Sequence, residues 1–307
     1  MTQQDTLREA IDRIHRAGDE SINTLLNRPL ADLCVAFFYR YTSISANQVT
    51  MLAMFTGILS AVAVLYGTPT SLFITGLLFQ ASAVFDCADG QLARLKGTTS
   101  KFGRILDGIS DYVVGFANVG ATIYACTVHY ETVSAYAIIP FSENSALPLI
   151  LLGFGSLVLH ILSFDHLKTR ISGIVNTGID QIAKDRMRLA RHSDGKRQSR
   201  HRRHPAVIYI NRFYTGLQEI LLPLGAYTKI HYTERERIAI ARQEERLVFL
   251  WSFLGPNTHI ILSIIGVLCR DLTSVYWVFI IPFNLYYICL LIYTKWHMKK
   301  SKEIISS

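Results

Sequence analysis

The residues whose type and spacing are best suited to catalysis or metal binding are four aspartates. They lie within residues 86–111, DCADGQLARLKGTTSKFGRILDGISD. They are Asp86, Asp89, Asp107 and Asp111. The first pair is spaced i, i+3 and the second i, i+4, so each pair lies on one face of a helix. Carboxylates that face each other across two helices repel unless a cation lies between them. Oxygen ligands without a cysteine–histidine set favour magnesium or manganese over zinc.

Small residues and one arginine accompany the aspartates. Gly90 and Ala93 share the face of the first pair, and Gly103 shares the face of the second, which leaves room for a bulky ligand against the backbone. Arg94, at the edge of the first face, supplies a fixed cation for a phosphate. The intervening LKGTTSKF has a glycine and two adjacent threonines, which predicts a turn. The local pattern therefore indicates a metal-dependent phosphate site.

The complete motif resembles a known family signature. D-x2-D-G-x2-A-R-x8-G-x3-D-x3-D is similar to that of the CDP-alcohol phosphotransferases (CDP-alcohol phosphatidyltransferases), integral membrane enzymes of phospholipid synthesis. The resemblance implies transfer of a substituted phosphate from a CDP-linked donor to an alcohol, with release of CMP and two Mg²⁺ or Mn²⁺ ions per site. It implies that Asp86, Asp89 and Asp107 are metal ligands. Asp111 would be the base and also a ligand of the second metal.

The resemblance also extends to donor binding. Residues 43–50, SISANQVT, resemble the family's Pro-Asn-x-x-Thr approach, with Ala46 where proline is usual. The implied donor-binding residues are Asn47, Thr50, Gly90, Ala93, Arg94, Ser100 and Gly103. A helix N-cap is the alternative role for Asn47, and loop capping is the alternative for Ser100.

The acceptor is less sharply indicated. The NRPL run and the form DGQLARLK resemble the branch of the family that uses inositol phosphates or similar polyols. Arg104, Lys168 and Arg170 are candidates for holding an acceptor phosphate, and ordinary anchoring at the membrane surface is their alternative role. CDP-diacylglycerol is the expected donor and a small alcohol the acceptor. A homodimer is implied by the resemblance alone.

Composition predicts an all-α integral membrane protein. Half of the 307 residues are hydrophobic and only 18% are charged, with a mean hydropathy of +0.27. Six apolar runs approach the about 20 residues that cross a bilayer. They are residues 50–67, 70–86, 111–129, 147–164, 248–268 and 274–294. With so much apolar sequence, the net charge of +8 predicts contact with membrane lipids and no nucleic-acid partner.

The chain divides into three predicted parts. Residues 1–45 contain amphipathic helices at 7–17 and about 29–41, expected to lie along the membrane interface, with packing on a cytosolic domain as the alternative. Residues 46–294 form the membrane domain, with a basic cytoplasmic insertion at 166–246 between helices 4 and 5. Residues 295–307 form a basic tail. Within the insertion, 207–230 is a broken apolar stretch and 233–247 a charged helix.

Charge predicts the orientation. Lysine and arginine crowd 94–104, 166–212 and 295–302, whereas loops 67–70, 130–146 and 269–274 hold only Arg270. The positive-inside rule places both termini and the aspartate motif in the cytoplasm. No cleavable signal peptide is expected, and a multi-pass protein of the plasma (inner) membrane is predicted.

The cysteines and histidines do not indicate a second functional site. Five scattered cysteines do not form a disulfide framework and are expected to pack as small apolar residues. His192, His201 and His204 lie among arginines that would repel a metal cation.

Three rival functions remain open at this point. A membrane prenyltransferase also uses magnesium and aspartates, but it favours DDxxD or NDxxD motifs, which this chain lacks. A divalent-cation transporter would place its aspartates along a pore rather than at the ends of spans. An inactive scaffold would not need all four carboxylates.

Overall fold

The computed structural model describes residues 3–20, 22–139, 145–180, 182–184 and 229–306. Within these ranges the chain is helical, apart from turns and one isolated antiparallel bridge between Ile179 and His231. The first helices are α1 (Gln3–Gly18), α2 (Arg28–Tyr41, after a π-helical turn Asn23–Asn27), α3 (Ala46–Val64), α4 (Pro69–Leu95) and α5 (Lys101–Val128). They are followed by α6 (Tyr130–Val133), α7 (Ala146–Thr177), α8 (Glu234–Ser252), α9 (Pro256–Leu268), α10 (Leu272–Ile280) and α11 (Pro282–Ser306). The all-α prediction is confirmed.

Five helical segments of the described chain are long and apolar enough to cross a membrane. They are Ala46–Val64, Pro69–Leu95, Ala146–Thr177, Glu234–Leu268 and Leu272–Lys299. Each contains or overlaps one of the predicted runs. The third predicted run, 111–129, lies in α5, which has 28 residues but is not among the five. Two aspartates in its first half and Asn118 near its middle lower its hydropathy, so the count of six is not established.

The last two of these segments are interrupted, each immediately before a proline. Helix α9 starts at Pro256 and helix α11 at Pro282. Proline has no N–H to donate and clashes with the preceding turn, so it is tolerated at the start of a helix and breaks one elsewhere.

The chain forms two compact units. The aspartate unit comprises residues 21–157 and 256–284. The terminal unit comprises residues 1–20, 158–255 and 285–307.

Helix α3 is the centre of the aspartate unit, since it packs on both α4 and α5. The crossing is close at Gly57, where an added Cβ would lie 2.6 Å from the methyl carbons of Val114 on α5 and 2.8 Å from the hydroxyl of Ser82 on α4. Asn118 on α5 donates to the carbonyl of Gly57 at 3.0 Å and accepts from Ser60 at 2.9 Å. A small residue and a buried polar pair thus fix α3 against its neighbours.

The two N-terminal helices differ in what covers their apolar faces. Within the terminal unit α1 packs on α8 and buries Ala10, Ile14 and Ala17. Within the aspartate unit α2 packs on α4 through Ala31 and Val35. Three other apolar side chains of α2, Leu33, Phe37 and Tyr41, are exposed. The interfacial position of α2 stays a prediction, whereas the apolar stripe of α1 is covered by α8.

Only the ends of the predicted insertion 166–246 fall in the described residues. The charged helix predicted at 233–247 is confirmed as the first part of α8. Arg237 on α8 donates to the carbonyls of Val175 and Asn176, at 2.9 and 2.7 Å, and so caps the carboxyl end of α7. His192, His201, His204 and residues 207–228 of the broken apolar stretch lie outside the described residues.

Candidate active site

The turn between α4 and α5 returns the chain so that the two aspartate pairs can meet. After α4, Gly97 adopts a left-handed conformation with φ of 63°. Ser100 then caps α5, its hydroxyl accepting the N–H of Gly103 at 2.9 Å. The predicted turn is confirmed. So is the capping role offered as the alternative for Ser100.

Three of the four carboxylates converge across this turn. Asp86, Asp89 and Asp107 each offer an oxygen, and these oxygens lie within 4.8 Å of one another. Asp86 is exposed, Asp89 is buried and Asp107 is half-buried. Among the side chains that the structure describes, no lysine or arginine forms an ion pair with any of them. A cluster of hard oxygen donors without a neutralising side chain fits magnesium or manganese.

Asp111 lies one turn beyond Asp107 on α5 and is exposed. It is not part of the group of three converging oxygens. It nevertheless lies close enough to Asp86 and Asp89 to interact with them electrostatically. Its role as the base stays a prediction.

Helix α3 supplies a contact that the sequence did not predict. The hydroxyl of Thr50 donates to Oδ2 of Asp89, and the carbonyl of Ala46 is its other acceptor in reach, at 3.2 Å. Thr50 is buried with 4% exposure. The sequence resemblance predicted that Thr50 binds the CDP-linked donor, whereas in the structure its hydroxyl donates a hydrogen bond to Asp89. The sequence did not predict this contact, because Thr50 and Asp89 are 39 positions apart and lie on different helices.

The start of α3 also brings Asn47 to the site. A Cβ added at Gly103 would lie 3.1 Å from Oδ1 of Asn47, so the amide faces the start of α5. The N-cap of α3 is Ser45, which forms a capping box with Gln48. Asn47 is therefore not needed for capping, and its amide is available to a ligand. Lys96, at the end of α4, donates to the carbonyl of Ile44 at 2.7 Å and holds this segment in place.

The small residues of the motif leave space beside the aspartates. A Cβ added at Gly90 would meet only Nη1 of Arg94, at 3.6 Å. Arg94 is exposed and attracts the carboxylate of Asp89 electrostatically. Ala93 is half-buried beside them. A ligand phosphate could thus meet the guanidinium without displacing protein atoms.

The three candidate acceptor residues are divided between the two units. The side chain of Arg104 is outside the described part of the chain, and Lys168 and Arg170 belong to the terminal unit. There Arg170 is buried and donates to Oδ2 of Asp180 from two of its nitrogens, at 3.0 and 2.8 Å. Nζ of Lys168 lies 5.5 Å from the ring centroid of Phe164. Their role at an acceptor stays a prediction.

Comparisons with known proteins agree with the motif. Residues 43–162 match the model of the CDP-alcohol phosphatidyltransferase family. Similar curated proteins are three named "Bifunctional IPC transferase and DIPP synthase". That of Thermococcus kodakarensis is 32% identical over 108 residues, 35% of this chain and 24% of that protein. That of Aquifex aeolicus is 34% identical over 108 residues, again 35% and 24%. That of Archaeoglobus fulgidus is 32% identical over 124 residues, 40% and 24%. The chain thus spans about a quarter of the length of the curated relatives it matches.

Proposed function

From the premise that residues 43–162 are a CDP-alcohol phosphatidyltransferase domain, we propose that the chain is a membrane transferase. It moves a substituted phosphate from a CDP-linked donor to an alcohol and releases CMP. The convergence of Asp86, Asp89 and Asp107 within 4.8 Å is the observation that carries this proposal, because it provides the metal site that the chemistry requires.

The aspartates define where a metal would be held. Asp86, Asp89 and Asp107 would hold Mg²⁺ or Mn²⁺, with Asp111 contributing to a second ion. When bound, such ions neutralise the donor's pyrophosphate and stabilise the departing CMP. Thr50 holds the carboxylate of Asp89 in one orientation, which fixes the ligand geometry before a substrate arrives.

Other residues would bind the substrates and accept a proton from the alcohol. The alcohol oxygen forms a bond to the phosphorus of the transferred group while the bond from that phosphorus to the CMP oxygen breaks. Asp111 accepts the proton that the alcohol loses. Arg94 and Asn47 would bind the donor's phosphates and nucleoside, which approach over Gly90 and Gly103. Positioning and electrostatic stabilisation supply most of the catalysis in phosphoryl transfer.

The substrates are proposed more narrowly as CDP-diacylglycerol and an inositol phosphate or other polyol phosphate. The sequence resemblance to the inositol-phosphate branch and the name of the three relatives support this choice. Arg104 and Lys168 remain candidates for the acceptor's phosphate. Arg170 is a weaker candidate, because Asp180 already neutralises its charge.

We also propose the arrangement in the membrane. If α5 crosses as a sixth span, both termini lie on one side, and the distribution of lysine and arginine makes that side the cytoplasm. The aspartate motif would then lie on the cytoplasmic side of the plasma membrane. A homodimer is proposed from the family resemblance alone.

The test is acceptor-dependent release of CMP. The full chain in detergent with Mg²⁺ or Mn²⁺ is given CDP-diacylglycerol or CDP-inositol, with inositol, inositol phosphate, glycerol phosphate, serine and ethanolamine as acceptors. Asp111→Asn is expected to lose the activity, whereas the exposed Asp12→Asn on α1 keeps it. Cation flux without nucleotide binding would instead favour a transporter. Release of CMP that survives Asp111→Asn would refute its role as the base.

A further inference from the structure

Helices α1 and α8 of the terminal unit enclose an open groove that the proposed reaction does not use. Its volume is about 420 Å³. It is lined by Arg16, Ala17, Arg242, Glu245, Arg246 and Phe249. None of these residues belongs to the aspartate motif or to the predicted donor contacts.

The groove has an excess of positive charge. Arg13, beside it, donates to Glu9 at 2.7 Å and lies 3.9 Å from Glu245, so one arginine already engages both neighbouring carboxylates. The three arginines of the lining are exposed, and in the described part of the chain none of them forms an ion pair within 4 Å. Three guanidinium groups that line one groove are suited to an anion, and they match phosphate oxygens in particular.

The groove changes from polar to apolar along α8. Arg242, Arg246 and Phe249 are spaced i, i+4 and i+7, which places them in one stripe on α8. Phe253, the C-cap of α8, follows at i+11 and continues the stripe. The two rings are exposed and contact each other edge to face, with centroids 5.4 Å apart. This end of α8 belongs to Glu234–Leu268, a segment apolar enough to enter a membrane. A ligand that filled the groove would therefore need an anionic head and an apolar tail.

We propose that this groove binds an anionic phospholipid. The phosphate of the headgroup lies among Arg16, Arg242 and Arg246, and an acyl chain follows Phe249 and Phe253. Basic residues next to a membrane-entering helix attract anionic lipids, and aromatic side chains are favoured at the same depth. The proposal does not depend on the transferase function, since binding needs neither metal nor nucleotide.

The test measures lipid retention rather than turnover. The purified full chain in a neutral detergent is titrated with phosphatidylglycerol or phosphatidylcholine, and bound lipid is counted by native mass spectrometry. Wild type is expected to prefer phosphatidylglycerol. Arg242→Gln with Arg246→Gln should weaken that binding by at least tenfold, since each arginine near the surface contributes about fivefold. Arg235→Gln removes an exposed arginine of the same helix outside the groove and should change nothing.

A second variant tests whether lost binding could result from misfolding, because it is expected to bind more tightly. Glu245→Gln removes the negative charge of the lining, so it should bind phosphatidylglycerol about two- to fivefold more tightly. Inorganic phosphate and glycerol phosphate at millimolar concentration should not displace the lipid, because neither has an apolar tail. Equal retention of phosphatidylglycerol by wild type and the double arginine variant would overturn the proposal. Displacement by glycerol phosphate would also overturn it, and would identify a site for soluble phosphates.

Discussion

The contact between Thr50 and Asp89 allows a sharp test of the metal site. Thr50→Val keeps the branched shape of a buried side chain and removes only the hydroxyl that donates to the carboxylate. A hydrogen bond to a charged acceptor contributes about 1.5–3 kcal/mol. That energy corresponds to about 10- to 100-fold in affinity, the same range as the loss of a partner that orients a metal ligand.

The assay is CMP release as a function of Mg²⁺ and, separately, of Mn²⁺ concentration. Thr50→Val is expected to raise the half-saturating metal concentration by about 10- to 100-fold, with much of the maximal rate recovered at high metal. Thr50→Ser keeps a hydroxyl and should restore most of the affinity. Thr56→Val is the matched control, because Thr56 is also buried on α3 but donates only to the carbonyls of Leu52 and Ala53.

Two outcomes would refute this reasoning. An unchanged metal dependence in Thr50→Val, beside a large loss in Asp89→Asn, would mean that the hydroxyl does not orient the aspartate. A raised KM for the CDP-linked donor with normal metal dependence would instead support the donor-binding role that the motif assigned to Thr50.

Three further predictions concern packing, charge and topology. Gly57→Ala should destabilise the aspartate unit by about 1–3 kcal/mol, seen as a lower melting temperature in detergent, because the new Cβ would lie 2.6 Å from Val114. Asp180→Asn should cost about 3–5 kcal/mol, measured by the same melt, because it removes the carboxylate that pairs with the buried guanidinium of Arg170. Cys269 is exposed and follows α9 in a loop predicted to be external, so a membrane-impermeant maleimide should label it in intact cells.

Each of these has a control within the chain. Gly108→Ala introduces a Cβ with nothing within 4 Å, so a fall in melting temperature as large as that of Gly57→Ala would argue against the steric cause. Adding Arg170→Met to Asp180→Asn should recover stability, and no recovery would mean that the charge is not the cause. Cys34, on the predicted cytoplasmic side, should react only after permeabilisation. Labelling of Cys269 only after lysis would reverse the topology.

The sequence predicted the carboxylate cluster well because its determinants are local. Helical spacing places Asp86 and Asp89 on one face, and the turn after Leu95 brings Asp107 back to them within 12 residues. The partners that hold the cluster in place could not be predicted in this way. The contact of Thr50 with Asp89 and the approach of Asn47 to Gly103 depend on how α3 packs, which a pattern within one helix does not encode.

The fold shows the same division between local and long-range information. Apolar runs predicted the span-capable helices, and Pro256 and Pro282 could have been used to place the breaks. What covers an amphipathic helix is not local. The apolar stripe of α1 packs on α8, more than 200 positions later in the chain, whereas α2 packs on α4 and leaves Leu33, Phe37 and Tyr41 exposed. Both stripes have the same helical period, so their patterns alone did not indicate how far each would be covered.

These long-range contacts show that α3 positions the carboxylates of the site, although α3 itself contains no acidic residue. Lys96 at the end of α4 binds the carbonyl of Ile44, just before α3, and the first turn of α3 faces α5 through Asn47. One turn later Thr50 holds Asp89, and two turns further Gly57 allows the close crossing with α5. Two helices joined by a flexible turn would leave the separation of their carboxylates free to change under mutual repulsion. Contacts of α3 with both helices oppose that separation, so the geometry needed for a divalent ion is set by three helices, although only two of them supply carboxylates.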